Sequence, residues 1–292
     1  VSMHGPGTLK EQSDSTKWGM SREQTVEIVR RALEMPHIHL METHFHLSRM
    51  SNVAMDFAIM AREMVTWSGH IRDNTGWTPP CIDIGGGWTF GKWYGTGPRG
   101  QIDDDNAPTA DDYARLCSQE IQEEAKKLDL PLPKLRLEPG RSLSGPSGVA
   151  VGTVGAVKQG DKKKWVNLDL STNHLSWSAA LDWYYHPVPV VDAMAERSET
   201  VDLVGPLCNS DELGPHVKMP PLERGQRVEF LDTGVYTETC AARYNAQLMP
   251  APGLGSGDRA EITTAREQFH DIAGRFRVPP RLLAASFANP GS

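Results

Sequence analysis

The stretch Cys81-Ile82-Asp83-Ile84-Gly85-Gly86-Gly87-Trp88 determines how the rest of the chain is interpreted. Residues 80–84 have the apolar character of a buried strand, and three consecutive glycines end it. A backbone without Cβ atoms can approach an anion closely, and successive N–H groups there form a concave phosphate site. A glycine-rich strand exit is also often only a tight turn, so this stretch becomes informative together with other motifs.

Composition sets the broad class of protein. The 292 residues are 39% hydrophobic, enough for the core of one large or two ordinary domains. A net charge of -7, from 30 basic and 37 acidic side chains, argues against nucleic acid or an anionic membrane as partner. No apolar run has the length of a membrane span and no secretory signal pattern opens the chain, so a cytoplasmic location is expected.

Helices and strands are predicted to alternate between residues 20 and 140. Ser21 with Gln24, and Thr109 with Asp112, have the spacing of helix-capping boxes. Helices are predicted near residues 21–35, 53–67 and 109–128, and strands at residues 37–46, 80–84 and 134–137. This alternation favours a parallel sheet or a segment of a (β/α) barrel.

Three conspicuous clusters lie at the carboxyl ends of the predicted strands. They are His44-Phe45-His46, Gly85-Gly86-Gly87 and Glu138-Pro139-Gly140-Arg141. In parallel sheets and in (β/α) barrels, functional residues collect at the carboxyl ends of the strands. The clusters are therefore expected to lie near one another.

The pattern changes from residue 147 onward to short apolar runs separated by turn residues. These runs cover residues 149–157, 165–170, 188–191, 201–204 and 227–231. They predict a separate antiparallel β domain. We therefore divide the chain into a barrel part at residues 1–145, a β domain at 146–250 and a C-terminal tail at 251–292, with a helix expected near residues 262–272.

Each candidate residue also has an ordinary structural interpretation. His46 could be a structural histidine, Cys208 an inert thiol and Tyr236 a core residue. The histidines at positions 37, 39, 44 and 46 could suggest a metal. No carboxylate or thiol nearby in the sequence completes a typical zinc set, so no metal is predicted. The four cysteines lack zinc spacing and are expected to be reduced.

Five motifs in this order resemble the fold-type III pyridoxal-phosphate decarboxylases, the family of diaminopimelate, ornithine and arginine decarboxylases. They are Thr43-His44-Phe45-His46, Asp83-Ile84-Gly85-Gly86-Gly87, Glu138-Pro139-Gly140-Arg141, Gly205-Pro206-Leu207-Cys208 and Gly234-Val235-Tyr236. The resemblance covers residues 17–250. It implies an α/β plus all-β fold, with part of an alanine-racemase-like (β/α)8 barrel followed by a C-terminal antiparallel β domain.

The resemblance also assigns roles. Glu138 would keep the ring nitrogen of pyridoxal phosphate protonated, and His46 would stack on the ring. Cys208 would donate a proton after CO2 leaves, which makes Cys208, His46 and Glu138 the predicted catalytic residues. The residues expected to hold the phosphate or lie near it are Gly85, Gly86, Gly87, Gly140, Arg141 and Tyr236. The family forms homodimers with active sites at the interface, so a homodimer is implied.

Some positions depart from the family pattern. The family's Schiff-base lysine lies on an early barrel strand, and no lysine here has that context. Half of the barrel is therefore expected to come from an upstream segment or a second chain. Ser48 and Arg49 replace a glycine and a serine that follow the histidine motif in the family.

Other departures affect the substrate. Residues 171–178 lack the arginine that binds a carboxylate in diaminopimelate decarboxylases, and Asn209 replaces a glutamate. An ion pair of about 1.5 to 3 kcal/mol would be lost. These changes predict that meso-diaminopimelate is not the substrate, and they make Asn209 and Asp211 the candidate substrate contacts.

The predicted function is therefore pyridoxal-phosphate-dependent decarboxylation of an amino acid or an amino-acid-derived intermediate. Two alternatives remain open at this point. One is a non-catalytic homologue that binds a protein partner, which the missing lysine suggests. The other is a pyridoxal-phosphate-dependent racemase, because the same fold type includes racemases.

Overall fold

The computed structural model describes residues 19–46, 53–88, 108–180 and 184–283. Helices and strands alternate through the first half, as the sequence predicts. The elements are α1 (Arg22–Leu33), β1 (Thr43–His44), α2 (Ala54–Thr75), β2 (Cys81–Asp83), α3 (Ala110–Lys127) and β3 (Lys134–Arg136). A short helix, α4 (Arg141–Ser144), and a 3₁₀ turn, Gly145–Ser147, lead into the second half.

The first three strands form a parallel sheet in the order β1-β2-β3. Thr43 pairs with Ile82, and Cys81 pairs with Lys134. Because the strands are parallel, their carboxyl ends lie along one edge, which brings together the clusters that follow them. Closure of a complete barrel stays a prediction, as do the domain boundaries.

Both predicted capping boxes are confirmed. The Ser21 hydroxyl accepts a hydrogen bond from the Gln24 N–H at 3.2 Å, and the Thr109 hydroxyl accepts one from the Asp112 N–H at 3.2 Å. Helix α2 is longer than predicted because Gly69 does not end it. A Cβ atom on Gly69 would lie 3.3 Å from the Leu128 side chain, so the glycine allows α2 to pack closely against the end of α3.

The second half contains a six-stranded sheet. Its strands are β4 (Val149–Gln159), β5 (Lys164–Leu168), β6 (Pro187–Pro189), β7 (Glu199–Val204), β8 (Glu212–Met219) and β9 (Arg227–Leu231), in the order β6-β9-β4-β5-β7-β8. The expectation of a wholly antiparallel domain was wrong, because β5 and β7 pair in parallel. The long connection between them carries helix α5 (Ser176–Ala180) and β6, and parallel neighbours need a connection of that length.

Two details of the second half were not predicted. Strand β8 was missed because Gly214 and Pro215 resemble a turn; the strand lies at the edge of the sheet, where proline is tolerated. The helix expected at residues 262–272 is only partly present. Strands β10 (Gly253–Ser256) and β11 (Arg259–Ile262) form a hairpin, and helix α6 (Phe269–Ala273) follows, with α7 (Pro280–Leu283) beyond it.

Each half has its own hydrophobic core. In the first, Phe57 makes edge contacts with Trp88 and Tyr113, at ring-centroid distances of 5.4 and 5.5 Å. Trp88 directly follows the glycine loop, so this aromatic cluster anchors the loop. The second core fills the β domain around Leu203 and Phe230. Among the helices that the structure describes, none combines the length and the apolar character needed to span a bilayer.

The glycines at the junction of the two halves bring two backbone segments into direct contact. Thr233 N–H donates to the Gly148 carbonyl, and Gly234 N–H donates to the Gly145 carbonyl, each at 3.0 Å. A Cβ atom on Gly234 would overlap the Ser144 carbonyl oxygen. The segment that leads to Tyr236 is thus fixed against α4 and the 3₁₀ turn.

Replacement of Gly234 by alanine should therefore destabilise the protein by about 1 to 3 kcal/mol, because the new methyl group has no space. Urea unfolding followed by circular dichroism would measure the change. Gly155→Ala is the matched control, since the nearest atom to its added methyl group lies at an ordinary 3.7 Å. Equal unfolding midpoints for the two variants would contradict the assignment.

A buried carboxylate in the β domain predicts acid sensitivity. Asp202, only 2% exposed, accepts hydrogen bonds from Lys163 Nζ and from His216 N–H, both at 2.7 Å. Burial alone would raise the pKa of Asp202, but these hydrogen bonds outweigh it and lower the pKa. The resulting stability is fully present above the unfolded-state pKa of about 3.9 and is lost as the pH falls through the lower folded-state value.

Asp202→Asn should thus destabilise the protein by about 1 to 3 kcal/mol at neutral pH. The difference from the unsubstituted protein should shrink in urea titrations carried out between about pH 4 and pH 2. Asp161→Asn, at an exposed aspartate in the β4–β5 turn, is the control. A difference that does not change with pH would exclude a role for the Asp202 charge.

Candidate active site

The backbone pairing continues beyond the three parallel strands. Phe45 N–H donates to the Asp83 carbonyl at 3.0 Å, and Glu138 N–H donates to the Gly85 carbonyl at 2.8 Å. The histidine motif, the glycine loop and the residues after β3 are therefore direct neighbours. The sequence predicted this convergence, and the structure confirms that the three clusters meet at one edge.

The glycines of the loop allow neighbouring parts of the chain to approach closely, whether or not a ligand binds there. Gly85 has φ 67° and Gly87 has φ 91°, conformations that favour glycine. A Cβ atom on Gly85 would lie 2.6 Å from His46 Nδ1, and one on Gly86 would overlap the Glu138 carbonyl oxygen. The His46 ring and the Glu138 backbone therefore pack directly against the loop.

Two of the three loop amides already have partners within the chain. Gly85 N–H donates to Asp83 Oδ1 at 2.8 Å, and Gly86 N–H donates to His46 Nδ1 at 3.4 Å. The proposal that Gly85, Gly86 and Gly87 all donate to a phosphate therefore stays a prediction. Ser48 and Arg49, which depart from the family pattern, lie outside the described residues.

Glu138 lies beside two histidines. Its Oε2 atom is 3.4 Å from His44 Nε2, and His44, His46 and Glu138 each offer one ligand atom within 4.8 Å of the others. The sequence argument against a metal, that no carboxylate is near the histidines, was wrong in this respect. The fold brings Glu138 from the end of β3 to complete a set of His and Glu side chains that could hold an ion. His46 and Glu138 are also the side chains predicted to contact the cofactor.

Arg141 places positive charge next to the glycine loop. It is the first residue of α4, only 4% exposed, and its Nη2 atom lies 3.5 Å from the Gly87 carbonyl oxygen. The preceding Gly140 faces the β domain, because a Cβ atom there would lie 3.9 Å from the Tyr236 hydroxyl. Tyr236 thus reaches this edge from the second half of the chain.

Cys208 belongs to a second cluster, which is exposed on the β domain. Its Sγ atom is 3.3 Å from the Tyr244 hydroxyl, and Asn245 Nδ2 donates to it at 3.2 Å. Hydrogen bonding, first from Tyr244 and then from Asn245, lowers the pKa of the Cys208 thiol. Tyr244 and Asn245 were not assigned a role from the sequence. Their contact with Cys208 depends on the fold.

The residues after Cys208 have contrasting environments. Asn209 is exposed next to the thiol, as a substrate contact requires. Asp211 is only 1% exposed, and its carboxylate accepts hydrogen bonds from Thr172 N–H, Thr172 Oγ1 and Leu207 N–H at 2.7 to 2.8 Å. This geometry favours a structural role for Asp211, which holds the Cys208 loop, over the predicted contact with substrate.

A glycine loop, a carboxylate and a buried guanidinium at the carboxyl ends of parallel strands are typical of proteins that bind a phosphorylated cofactor. A family model described as "Pyridoxal-dependent decarboxylase, C-terminal sheet domain" matches residues 25–234. The chain therefore belongs to the pyridoxal-dependent decarboxylase family, which confirms the resemblance and its cofactor, pyridoxal phosphate.

Similar proteins are named diaminopimelate decarboxylases. The protein from Archaeoglobus fulgidus is 31% identical over 271 residues, which cover 92% of this chain and 61% of that protein. The Bacillus subtilis protein is 25% identical, with 93% and 61% covered. A crystal structure of the diaminopimelate decarboxylase from Methanocaldococcus jannaschii has a TM-score of 0.80 at 25% identity and covers 96% of this chain and 64% of that chain. The chain thus spans about three fifths of the length of these relatives.

The prediction against diaminopimelate is not supported by these relatives. Several proteins that match most of this chain are named for that substrate, including one at 31% identity. The prediction rested on a single missing arginine and one replaced glutamate. A loss of about 1.5 to 3 kcal/mol in one contact does not exclude a substrate that other groups can bind.

The Cys208 cluster predicts a reactive thiol. A lowered pKa increases the thiolate fraction, so iodoacetamide should alkylate Cys208 with a pH midpoint below that of an ordinary exposed thiol. Tyr244→Phe should shift this midpoint upward. The rates would be measured by peptide mass spectrometry in a Cys240→Ser background, which removes the other exposed cysteine.

Burial raises the pKa of Cys117 to about 11, so this thiol should stay unmodified in the folded protein. Tyr184→Phe removes a tyrosine hydroxyl elsewhere in the β domain and is the matched control. An unchanged Cys208 midpoint in Tyr244→Phe would show that the hydroxyl does not stabilise the thiolate.

Proposed function

We propose that this chain takes part in the pyridoxal-phosphate-dependent decarboxylation of an amino acid, and that diaminopimelate is the first substrate to test. The observation that carries the proposal is the convergence of His46, the glycine loop, Glu138 and Arg141 at one edge of the parallel sheet. The names of the similar proteins support the choice of substrate.

The residues present fit this cofactor. The glycine loop and the Arg141 guanidinium lie together, as a phosphate group requires. The Glu138 carboxylate extends from the same edge, half-exposed, with His44 beside it. When bound, pyridoxal phosphate supplies an acceptor for the electron pair released as the carboxylate leaves. In this proposal Glu138 keeps a proton on the ring nitrogen, and His46 lies against the ring.

Cys208 provides the proton in this proposal. The Tyr244 hydroxyl and the Asn245 amide form hydrogen bonds with its sulfur, and these contacts lower the pKa of the thiol. A lowered pKa makes loss of the thiol proton easier, and that loss is the step that a proton donor performs. Because Cys208 is exposed on the β domain, we further propose that it serves the site of a second copy in a homodimer. The lysine that binds the cofactor covalently comes, in this proposal, from outside these 292 residues.

The proposal predicts that this chain, assembled with the polypeptide that carries the lysine and supplied with pyridoxal phosphate, releases CO2 from meso-diaminopimelate. L-lysine, L-ornithine and L-arginine would be tested in parallel. Glu138→Gln should lower kcat about tenfold to a hundredfold, because a neutral amide cannot hold the ring nitrogen in its charged form. Glu223→Gln, at an exposed glutamate of the β domain, should leave kcat unchanged.

The products identify the reaction class. Chiral chromatography of the recovered amino acids would separate decarboxylation from racemisation. Cofactor binding without CO2 release from any of these amino acids would count against the decarboxylase proposal and favour one of the alternatives.

A further inference from the structure

Trp177 makes an aromatic contact with one of the predicted cofactor residues. Its ring lies 3.9 Å from the ring of Tyr236, centroid to centroid, with an angle of only 10° between the ring planes. Trp177 belongs to helix α5 and packs against the β-domain core, whereas Tyr236 comes from the segment after β9. Two distant parts of the sequence therefore meet in this stacked pair.

Tyr236 has a backbone conformation that needs support. Its φ of 62° is left-handed, which is uncommon for an aromatic residue and persists only where the surroundings impose it. The backbone contacts of Gly234 with residues 144–148 fix the chain on one side of Tyr236. The stack on Trp177 restrains the side chain, which is still 36% exposed.

The position of the Tyr236 hydroxyl connects this pair to the cofactor site. The hydroxyl lies 3.9 Å from the place of a Cβ atom on Gly140, and Gly140 directly precedes the buried Arg141. A tyrosine that rotated away from Trp177 would move its hydroxyl away from this point. The stack therefore makes the position of the Tyr236 hydroxyl, at the predicted phosphate end of the site, depend on the position of α5.

We propose that Trp177 is a positioning residue that holds the Tyr236 hydroxyl at the phosphate end of the cofactor site. This inference rests on the proposed function, because it gives Tyr236 a role in cofactor binding. Trp177 acts through Tyr236 and makes no contact of its own with the cofactor. A purely structural tryptophan would contribute to the stability of the β domain and leave cofactor affinity unchanged.

The affinity for pyridoxal phosphate of this chain assembled with its lysine-bearing part, measured by isothermal titration calorimetry, tests the inference. Trp177→Ala should raise Kd about twofold to tenfold, the contribution typical of an aromatic pair. Trp177→Phe, which can still stack, should restore most of the affinity. Trp165→Ala is the matched control, because this tryptophan also belongs to the β domain but packs on Gly160 and Lys158.

A double-mutant cycle separates the positioning role from a general loss of structure. In a Tyr236→Ala background, Trp177→Ala should cause no further change in Kd. The difference in Kd between the unsubstituted protein and Trp177→Ala should also disappear when pyridoxal, which lacks the phosphate group, is the ligand. Additive effects of the two substitutions, or an equal loss with Trp165→Ala, would overturn the inference.

Different results would reject the proposed function and the role of Trp177. If the unsubstituted assembly that includes the lysine-bearing part does not bind pyridoxal phosphate, the proposed function fails, and the inference fails with it. If it binds the cofactor and Trp177→Ala leaves Kd unchanged, only the role of Trp177 is rejected.

Discussion

The candidate site depends on the close approach of the glycine loop to the segments on both sides of it. Gly85 lies against the His46 ring and Gly86 against the Glu138 carbonyl, at distances that leave no space for a side chain. A larger residue at Gly85 would displace the His46 ring, and one at Gly86 would displace the Glu138 backbone, so either would disturb a residue that the proposed chemistry needs. The glycines thus have a structural reason that is independent of phosphate binding. Close approach accounts for Gly85 and Gly86, and the positive φ of 91° accounts for Gly87.

Short-range sequence patterns predicted the structural features that local interactions determine. The capping boxes at Ser21 and Thr109, the alternation of helix and strand and the convergence of the motifs follow from short-range spacing and from parallel pairing. Features that depend on distant partners were missed. Strand β8 is stable despite Pro215 because it lies at an edge, and the β5–β7 pair is parallel because of the connection between the two strands. Asp211 is buried because Thr172, which is far away in sequence, donates to it.

The same distinction explains why the sequence predicted the cofactor but not the substrate. Motifs that bind a cofactor combine fixed chemistry with fixed spacing, so their identity could be predicted from the sequence. Substrate preference depends on the sum of several contacts, and the absence of one arginine is weak evidence about that sum. The sequence predicted that the histidine motif and the segment after β3 would converge. It did not predict that Glu138 would complete a possible ligand set with the histidines, because 92 positions separate Glu138 from His46 and only the sheet brings them together.

Residues 171–177 connect both parts of the candidate site. Asn173 Nδ2 donates to the Tyr244 carbonyl at 2.9 Å, and His174 Nε2 lies 3.3 Å from the Leu248 carbonyl oxygen, so this segment supports the residues next to Cys208. Through Trp177 the same segment supports Tyr236. Burial lowers the pKa of His174, which favours the neutral ring that accepts from Ser171 N–H through Nδ1. We therefore expect a substitution within these residues to affect the surroundings of the Cys208 thiol and the position of Tyr236, which is predicted to contact the cofactor.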